Sequence, residues 1–468
     1  FSLYLVSILP LSDADSISIY QYIPSTIYSE GLKEIDLVKN LEFTLLSNTE
    51  ILLLFSAIFK SDNLGAQLNL LTLFFFIIIK FKDHKNFSLI IFSSPLIIYF
   101  ISAQKLQLFF GLIFLLLFIL INRDIFKKKV ELFILILLLV FYSSGKFSYI
   151  LFTIPLYIYF FYRNLNHWKH VVLYSFLSFI IVYVPLLSIK QIYFHNIFAP
   201  FFDNFLGQGF EAYNAFAFSI RSSEGWISDP KNIFLYVRPF VSLEIGRLSS
   251  SLGLIFLLMF FNPNLQKKTN YFPFLIVILV ILTGQILPRY YFEAFLLLAF
   301  FYKPKNYFIK LVIYLQVLII FSISLLYIFI SYIQLGVLKN KTDYMNRFSY
   351  SFFNSQQIKK DDFNGNILDY SLGRQSIFFD KNIYSSRYLD ILNKYSGDYN
   401  KKLSSFIDEN SIDYIILESI DQIPKCILTK EIKKTYRKKS VRNFLVKNHK
   451  IEYKILEIED NKCNNIIK

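Results

Sequence analysis

Two aspartates, Asp13 and Asp15, stand two residues apart in the stretch SDADSISIYQYIPSTIYSEG, directly after an apolar run that ends at Pro10. A carboxylate at a membrane surface can take the proton of an incoming hydroxyl, or hold a divalent cation. The plainer alternative is that Asp15 or Ser16 only caps the helix that follows. Four cations, Lys105, Lys146, Arg247 and Arg289, fall at the ends of apolar runs, away from the chain's most basic loops. There they are placed to hold a lipid phosphate, which a guanidinium clamps with two parallel bonds. Their plain alternative is snorkelling to head groups. Glu293 lies inside the apolar run YYFEAFLLLAFFY. An ionisable group within a span is costly and marks a functional candidate, although Arg289 at helical spacing is also a natural partner for it.

A second hydrophilic stretch offers His195, Asp203, Glu211, Arg221, Glu224, Trp226, Asp229, Arg238, Glu244 and Arg247. Most of these read as solvated or mutually paired; His195 is kept as a candidate acceptor-binding or supporting group. His167 and His170 lie close together in a basic loop with no Cys or acid beside them, which is no ligand set for a metal. No Gly-rich phosphate loop, HExxH or CxxC pair occurs. No organic cofactor is therefore implied, and the metal question stays open, with a divalent cation at the aspartates as the remaining option.

The elements that must position these groups are membrane spans. Of the 468 residues 54% are hydrophobic and only 18% charged, against about 25% charged in an ordinary soluble chain. Residues 341–468 hold 23 Lys+Arg and 17 Asp+Glu, which is 40 of the chain's 83 charges. The first 340 residues thus keep 43, as lipid burial demands. About eleven apolar runs read as spans: Phe1–Pro10, Leu64–Phe81, Phe87–Ile101, Leu106–Ile121, Val130–Phe141, Phe147–Tyr162, Val171–Leu187, Leu252–Phe261, Tyr271–Leu287, Tyr290–Tyr302 and Leu311–Ile333. The chain opens at Phe1 within an apolar run, so a preceding piece is expected. The short run Glu50–Lys60 reads as a helix lying in the interface.

Lys and Arg gather in cytoplasmic loops. Alternation puts five basic clusters on that side: Lys80/Lys82/Lys85, Arg123/Lys127/Lys128/Lys129, Arg163/Lys169, Lys267/Lys268 and Lys303/Lys305/Lys310. The opposite face then receives the long loops, about 11–63 and 188–251, and the tail. The net charge of +15 is accounted for by such anchoring, and no nucleic-acid partner is inferred. The expected architecture is an all-α polytopic membrane domain over residues 1–338, followed by a small extracytoplasmic α/β domain over 339–468. In that tail Ile377–Phe379, Tyr414–Leu417 and Ile451–Ile458 read as strands, and Lys401–Glu409 and Thr435–Val446 as helices. The two cysteines, Cys426 and Cys463, allow one bridge if the tail faces an oxidising compartment.

This pattern resembles the GT-C superfamily of membrane glycosyltransferases, the group that includes protein O-mannosyltransferases and lipid A aminoarabinose transferases. SDADSISIYQYIPSTIYSEG looks like that family's acidic first loop, SGKFSYIL like its Lys-Tyr span opening, and LPRYYFEAFLLLAFFY like its Arg-Tyr helix. IYFHNIFAPFF resembles the segment after its long central span, which is usually richer in Asn and Pro. Many members have two adjacent acids in the first loop; here Ala14 separates them, so either Asp13 or Asp15 is the base. The resemblance implies a multi-pass enzyme of the cell membrane with its active site outside the cytoplasm. It would move a sugar from a polyprenyl-phosphate donor to a hydroxyl on a glycan, lipid or protein acceptor. Asp13 or Asp15 would be the base, and Lys105, Lys146, Arg247 and Arg289 would steady the departing phosphate. The competing readings are an envelope polysaccharide polymerase or ligase, and a lipid-linked glycan flippase or transporter.

Overall fold

The computed structural model describes all residues except 14, 32–37, 39–40, 81–84, 124–127, 223–236, 238–239, 241–250, 262–270, 284, 286, 305, 362, 373–381, 421–422, 439–444, 446–448 and 462–468. The chain is mostly helical with one small sheet. It divides into two units that cut across the linear order expected from sequence. The first comprises Phe1–Leu9, Leu46–Ile192 and Arg221–Ile330; the second comprises Pro10–Leu45, Tyr193–Ile220 and Ser331–Lys468. The stretches of the two hydrophilic loops that fall in the second unit therefore fold with the tail.

The first unit consists of helices whose bounds follow the apolar runs. Leu64–Lys80, Gln107–Arg123, Lys129–Ser144, Trp168–Phe194 and Tyr307–Ile328 each cover a candidate span. Among the described residues two helices, Leu165–Phe194 and Tyr307–Gln334, are long and apolar enough to cross a membrane; Gln107–Asn122 and Phe272–Leu282 are apolar but shorter. The run Phe87–Ile101 is not one helix. It breaks into Lys85–Phe92 and Pro95–Ile101, because Pro95 lacks the N–H that would continue the first helix and is suited to start the second. Small residues let helices approach. A methyl on Gly111 would come within 2.7 Å of Leu296 Cδ1, and one on Gly145 would strike the Phe110 ring. Close packing of this kind holds helices together where lipid removes the hydrophobic drive. The ends are sorted as well. At one end of the Gln107–Arg123 helix, Tyr159 donates to Asn122 Oδ1 (2.8 Å) and Arg163 to its carbonyl (3.3 Å). Arg163 thus lies at the end of the Gln107–Arg123 helix.

The second unit is built on a five-stranded mixed sheet of β1 (Asn366–Asp369), β2 (Ile383–Ser385), β3 (Ile412–Leu417), β4 (Ile427–Lys438) and β5 (Lys450–Asn461), in the order β2-β1-β3-β5-β4. β1 runs parallel to β2 and β3; β5 runs antiparallel to β3 and β4. Side chains alternate across the sheet. Leu368, Ile415, Leu417 and Leu456 pack with Leu389, Leu403 and Phe406 of the helices Arg387–Ser396 and Tyr399–Glu409. Ile367, Ile416 and Ile455 pack with Ile358 of the helix Tyr350–Asp361 on the other face.

β3, β5 and the helix Tyr399–Glu409 match the sequence reading, whereas Thr435–Lys438, the start of the expected helix Thr435–Val446, is strand, and most of the rest lies outside the described residues. Residues up to Lys438 belong to β4, paired in register with β5. Cross-strand ion pairs Lys434–Glu452 (2.8 Å) and Lys454–Glu431 (3.3 Å) line that ladder. Strand preference depends on such neighbours more than on local pattern. Ile377–Phe379 lies outside the described residues. Cys426, just before β4, is disulfide-bonded.

Candidate functional site

Three of the four cations singled out in the sequence meet within the first unit. Each sits where a helix begins: Lys105 before Gln107–Arg123, Lys146 before the turn Phe147–Tyr149 that leads into Ile150–Arg163, and Arg289 in the turn Pro288–Tyr291 that opens Phe292–Phe301. Helix starts carry partial positive charge, so cations there are opposed by the helix dipole, and an anion would offset that cost.

Lys146 Nζ lies 4.7 Å from the centre of the Tyr290 ring, and the Arg289 guanidinium carbon 5.4 Å from the same centre. Lys105 bonds the Tyr99 hydroxyl with its Nζ 4.8 Å from that ring's centre. Burial pushes the Lys146 ammonium below the ordinary lysine range. Tyr290 and Glu293 pull it back up, while the charges of Arg289 and Lys105 push it down further. The four groups therefore share one local field. Glu293 is fully buried. Gln107 Nε2 donates to its Oε1 at 2.8 Å, while Oε2 meets no hydrogen-bond donor among the described residues. Tyr142, stacked on Tyr149 with ring centres 4.7 Å apart, has a buried hydroxyl that also lacks a partner among them.

Buried polar side chains fix the backbone that carries these cations. Ser47 (2.9 Å) and Thr49 both donate to the Gly145 carbonyl, next to Lys146. They stand at the start of the helix Asn48–Ile58, where Ser47 and Glu50 form a capping box. Asn69 donates to the carbonyls of Lys105 and Phe100 (2.9 Å) and accepts from Phe109 N (3.3 Å). Lys105 is held from the Leu64–Lys80 helix and Lys146 from Asn48–Ile58, so neither position depends on its own helix alone. These supports, and Gln107, escaped the sequence reading. Their signal was present: Asn69 and Gln107 are polar side chains inside apolar runs.

The other predicted residues fall elsewhere. Asp13, Asp15 and His195 belong to the second unit. Asp13 Oδ2 accepts from Ser16 N and Ser16 Oγ, each at 3.0 Å. The helix-capping role thus goes to Asp13, and Asp15 makes no cap hydrogen bond. His195 is exposed, at a left-handed φ of 52°. Asp203 and Glu211 take structural roles, Asp203 fully buried and Glu211 paired with Lys402 at 2.6 Å. Arg247, Glu224, Trp226, Asp229, Arg238 and Glu244 lie outside the described residues. Among the described residues no group of three or more His, Cys, Asp or Glu is arranged to hold a metal ion. No protein-family model matches the chain, and neither the curated proteins nor the solved structures include a similar one.

Proposed function

We propose that this chain is an integral membrane glycosyltransferase that takes a sugar from a polyprenyl-phosphate donor and places it on an acceptor hydroxyl outside the cytoplasm. The observation that carries the reading is that Lys105 and Arg289 both act electrostatically on the buried Lys146, so that cations from three separate helix starts share one buried neighbourhood. Three cations at helix starts make a place where an added anion is favoured. A lipid-linked phosphate supplies that anion, and the apolar helices around the cluster suit its tail.

In the transfer, the acceptor oxygen attacks the anomeric carbon, and its proton passes to a carboxylate base; of the two aspartates the resemblance offers, Asp15 is the one put to the test. The bond from that carbon to the phosphate oxygen breaks, and the electron pair leaves on the lipid phosphate. The three cations stabilise the charge that grows there, an effect worth about 10²–10³ in rate for each well-placed donor. Gln107 holds Glu293 in the same buried neighbourhood as Lys146. The eleven-span layout and the outward face of the second unit belong to the same reading. The disulfide at Cys426 supports that face, since such bonds persist in oxidising compartments.

The test supplies purified protein with radiolabelled polyprenyl-phosphate sugars and follows label in the acceptor fraction. Transfer is expected, and its loss in Asp15→Asn and in Lys146→Ala. Transfer that survives in both variants overturns the assignment.

A further inference from the structure

We propose that the loop of residues 195–210 is a membrane-interface anchor, its aromatic outer face seated in one leaflet of the bilayer. The proposal rests on the reading of this chain as a membrane protein. A water-facing loop turns apolar side chains inward; this one is inverted. Its interior is polar: Asp203 and Asn196 are fully buried. Asp203 accepts from Asn196 Nδ2 (3.0 Å) and from Phe210 N (2.6 Å). Asn196 also donates to the Phe201 carbonyl (3.0 Å) and accepts from Phe198 N (2.8 Å). One hub thus ties both ends of the loop.

Its outside is mainly aromatic, with His195, Asn204 and Gln208 as the exposed polar side chains. Phe198, Phe202, Phe205, Leu206 and Phe210 are 38%, 57%, 86%, 49% and 42% exposed. The backbone is held in strained form to achieve this. Phe202 adopts φ 58°, a left-handed conformation rare for a bulky residue. That turn sends the Phe202 ring out while Asp203 turns in. A side chain at position 207 would collide with the Asp203 carboxylate, so only Gly207 closes the loop.

A lipid leaflet is the occupant that fits. The loop starts directly after helix 165–194, one of the two long enough to cross a membrane. The last residues of that helix, Tyr193 and Phe194, belong to the same unit as the loop. Span and loop are therefore continuous in sequence and alike in surface. From Asn196 to Phe210 the sequence holds no Lys, Arg or Glu, and its one Asp is the buried Asp203. No charge need be desolvated when the rings enter the headgroup–acyl boundary, where aromatic side chains are favoured.

The test attaches an environment-sensitive fluorophore at Phe205→Cys and, as a replicate, at Leu206→Cys, in the full chain reconstituted in lipid nanodiscs. A label at Lys401→Cys, exposed in the helix Tyr399–Glu409, reports water. A label at Phe179→Cys, exposed in the Trp168–Phe194 helix, reports lipid, and the unsubstituted chain fixes the background. Acyl-brominated lipid should remove about half of the emission at positions 205 and 206 and leave position 401 unchanged, with aqueous iodide doing the reverse. Iodide quenching at 205 equal to that at 401 overturns the anchor. So does shielding of 205 from both quenchers, which would mean a protein surface, such as a second copy, covers the loop. If position 179 also escapes the brominated lipid, the membrane reading itself falls and not the anchor alone.

Discussion

Lys146 stands at a helix start, buried, with two further cations acting on it. Its ammonium is held below the ordinary lysine range, so its positive charge is lost at a lower pH than that of a solvated lysine. If that charge binds the donor phosphate, kcat/KM for the donor should decline on the alkaline side earlier than an ordinary lysine would dictate. Lys146→Arg should carry the decline to higher pH, because a guanidinium stays charged throughout. A pH profile that the arginine leaves unmoved would remove Lys146 from the donor site. The two aspartates separate in the same way. Asp13 caps the helix through Ser16, so Asp13→Ala should cost about 1 kcal/mol of local helix stability and leave most transfer intact, whereas Asp15→Asn should abolish it. Initial rates and thermal unfolding of both variants check this. Lys105, Lys146, Arg289 and Glu293 stood out in the sequence because a charge in or beside an apolar run is costly, and the structure brings the other three to act on Lys146. Tyr99 and Tyr290 were not, since a chain with 33 Tyr and 54 Phe hides any ring that matters. Asp13 and Asp15 could not be told apart, because the capping bond depends on where the helix starts and not on composition.

At the scale of elements, the apolar runs announced the helices, and the failures share a cause in neighbours that the sequence does not show. The charged string of β4 reads as helix by local pattern, yet β5 supplies complementary charges along the ladder and makes it a strand. β1 escaped notice because four residues give too little period. It nevertheless carries the least expected group in the sheet, Asp369, fully buried with Arg437 of β4. Arg437 Nε lies 3.6 Å from Asp369, and its terminal nitrogen 3.2 Å from Asp361 of the helix Tyr350–Asp361. Arg437→Met would leave Asp369 without its cation and should cost about 3–5 kcal/mol, read as a lower unfolding temperature. Burial raises the Asp369 carboxyl above the usual range, against the opposing pull of Arg437. The folded chain therefore keeps that proton to higher pH than the unfolded chain does. The group's contribution to stability is full below the unfolded value and declines as pH climbs from there through the folded value. Asp369→Asn should flatten that part of the stability–pH curve, and an unchanged slope would show that the carboxyl titrates as if exposed.

At the scale of the whole chain, the segments 10–45, 193–220 and 331–468 fold as one unit, and a single compact unit cannot lie on both sides of a bilayer. The proposed layout must therefore cross the membrane an even number of times between the first and second segments, and again between the second and third. The six apolar runs from Leu64–Phe81 to Val171–Leu187, and the four from Leu252–Phe261 to Leu311–Ile333, satisfy both conditions only if each crosses once, the broken run Phe87–Ile101 included. The parity comes from hydropathy and the grouping from folding, and the proposed layout requires both. The disulfide at Cys426 adds a direction, because it favours the oxidising side for the whole unit. Alkaline phosphatase fused after Lys468 should accordingly be active and a fluorescent protein there dark, and Cys426 should resist a membrane-impermeant maleimide until a reductant is added. Reduction should also lower the stability of the tail unit by about 2–4 kcal/mol. A dark phosphatase with a bright fluorescent fusion would place Asp15 in the cytoplasm together with the tail. An acceptor hydroxyl outside the cell could then never reach the proposed base, and the glycosyltransferase reading would have to be given up whatever the cations bind.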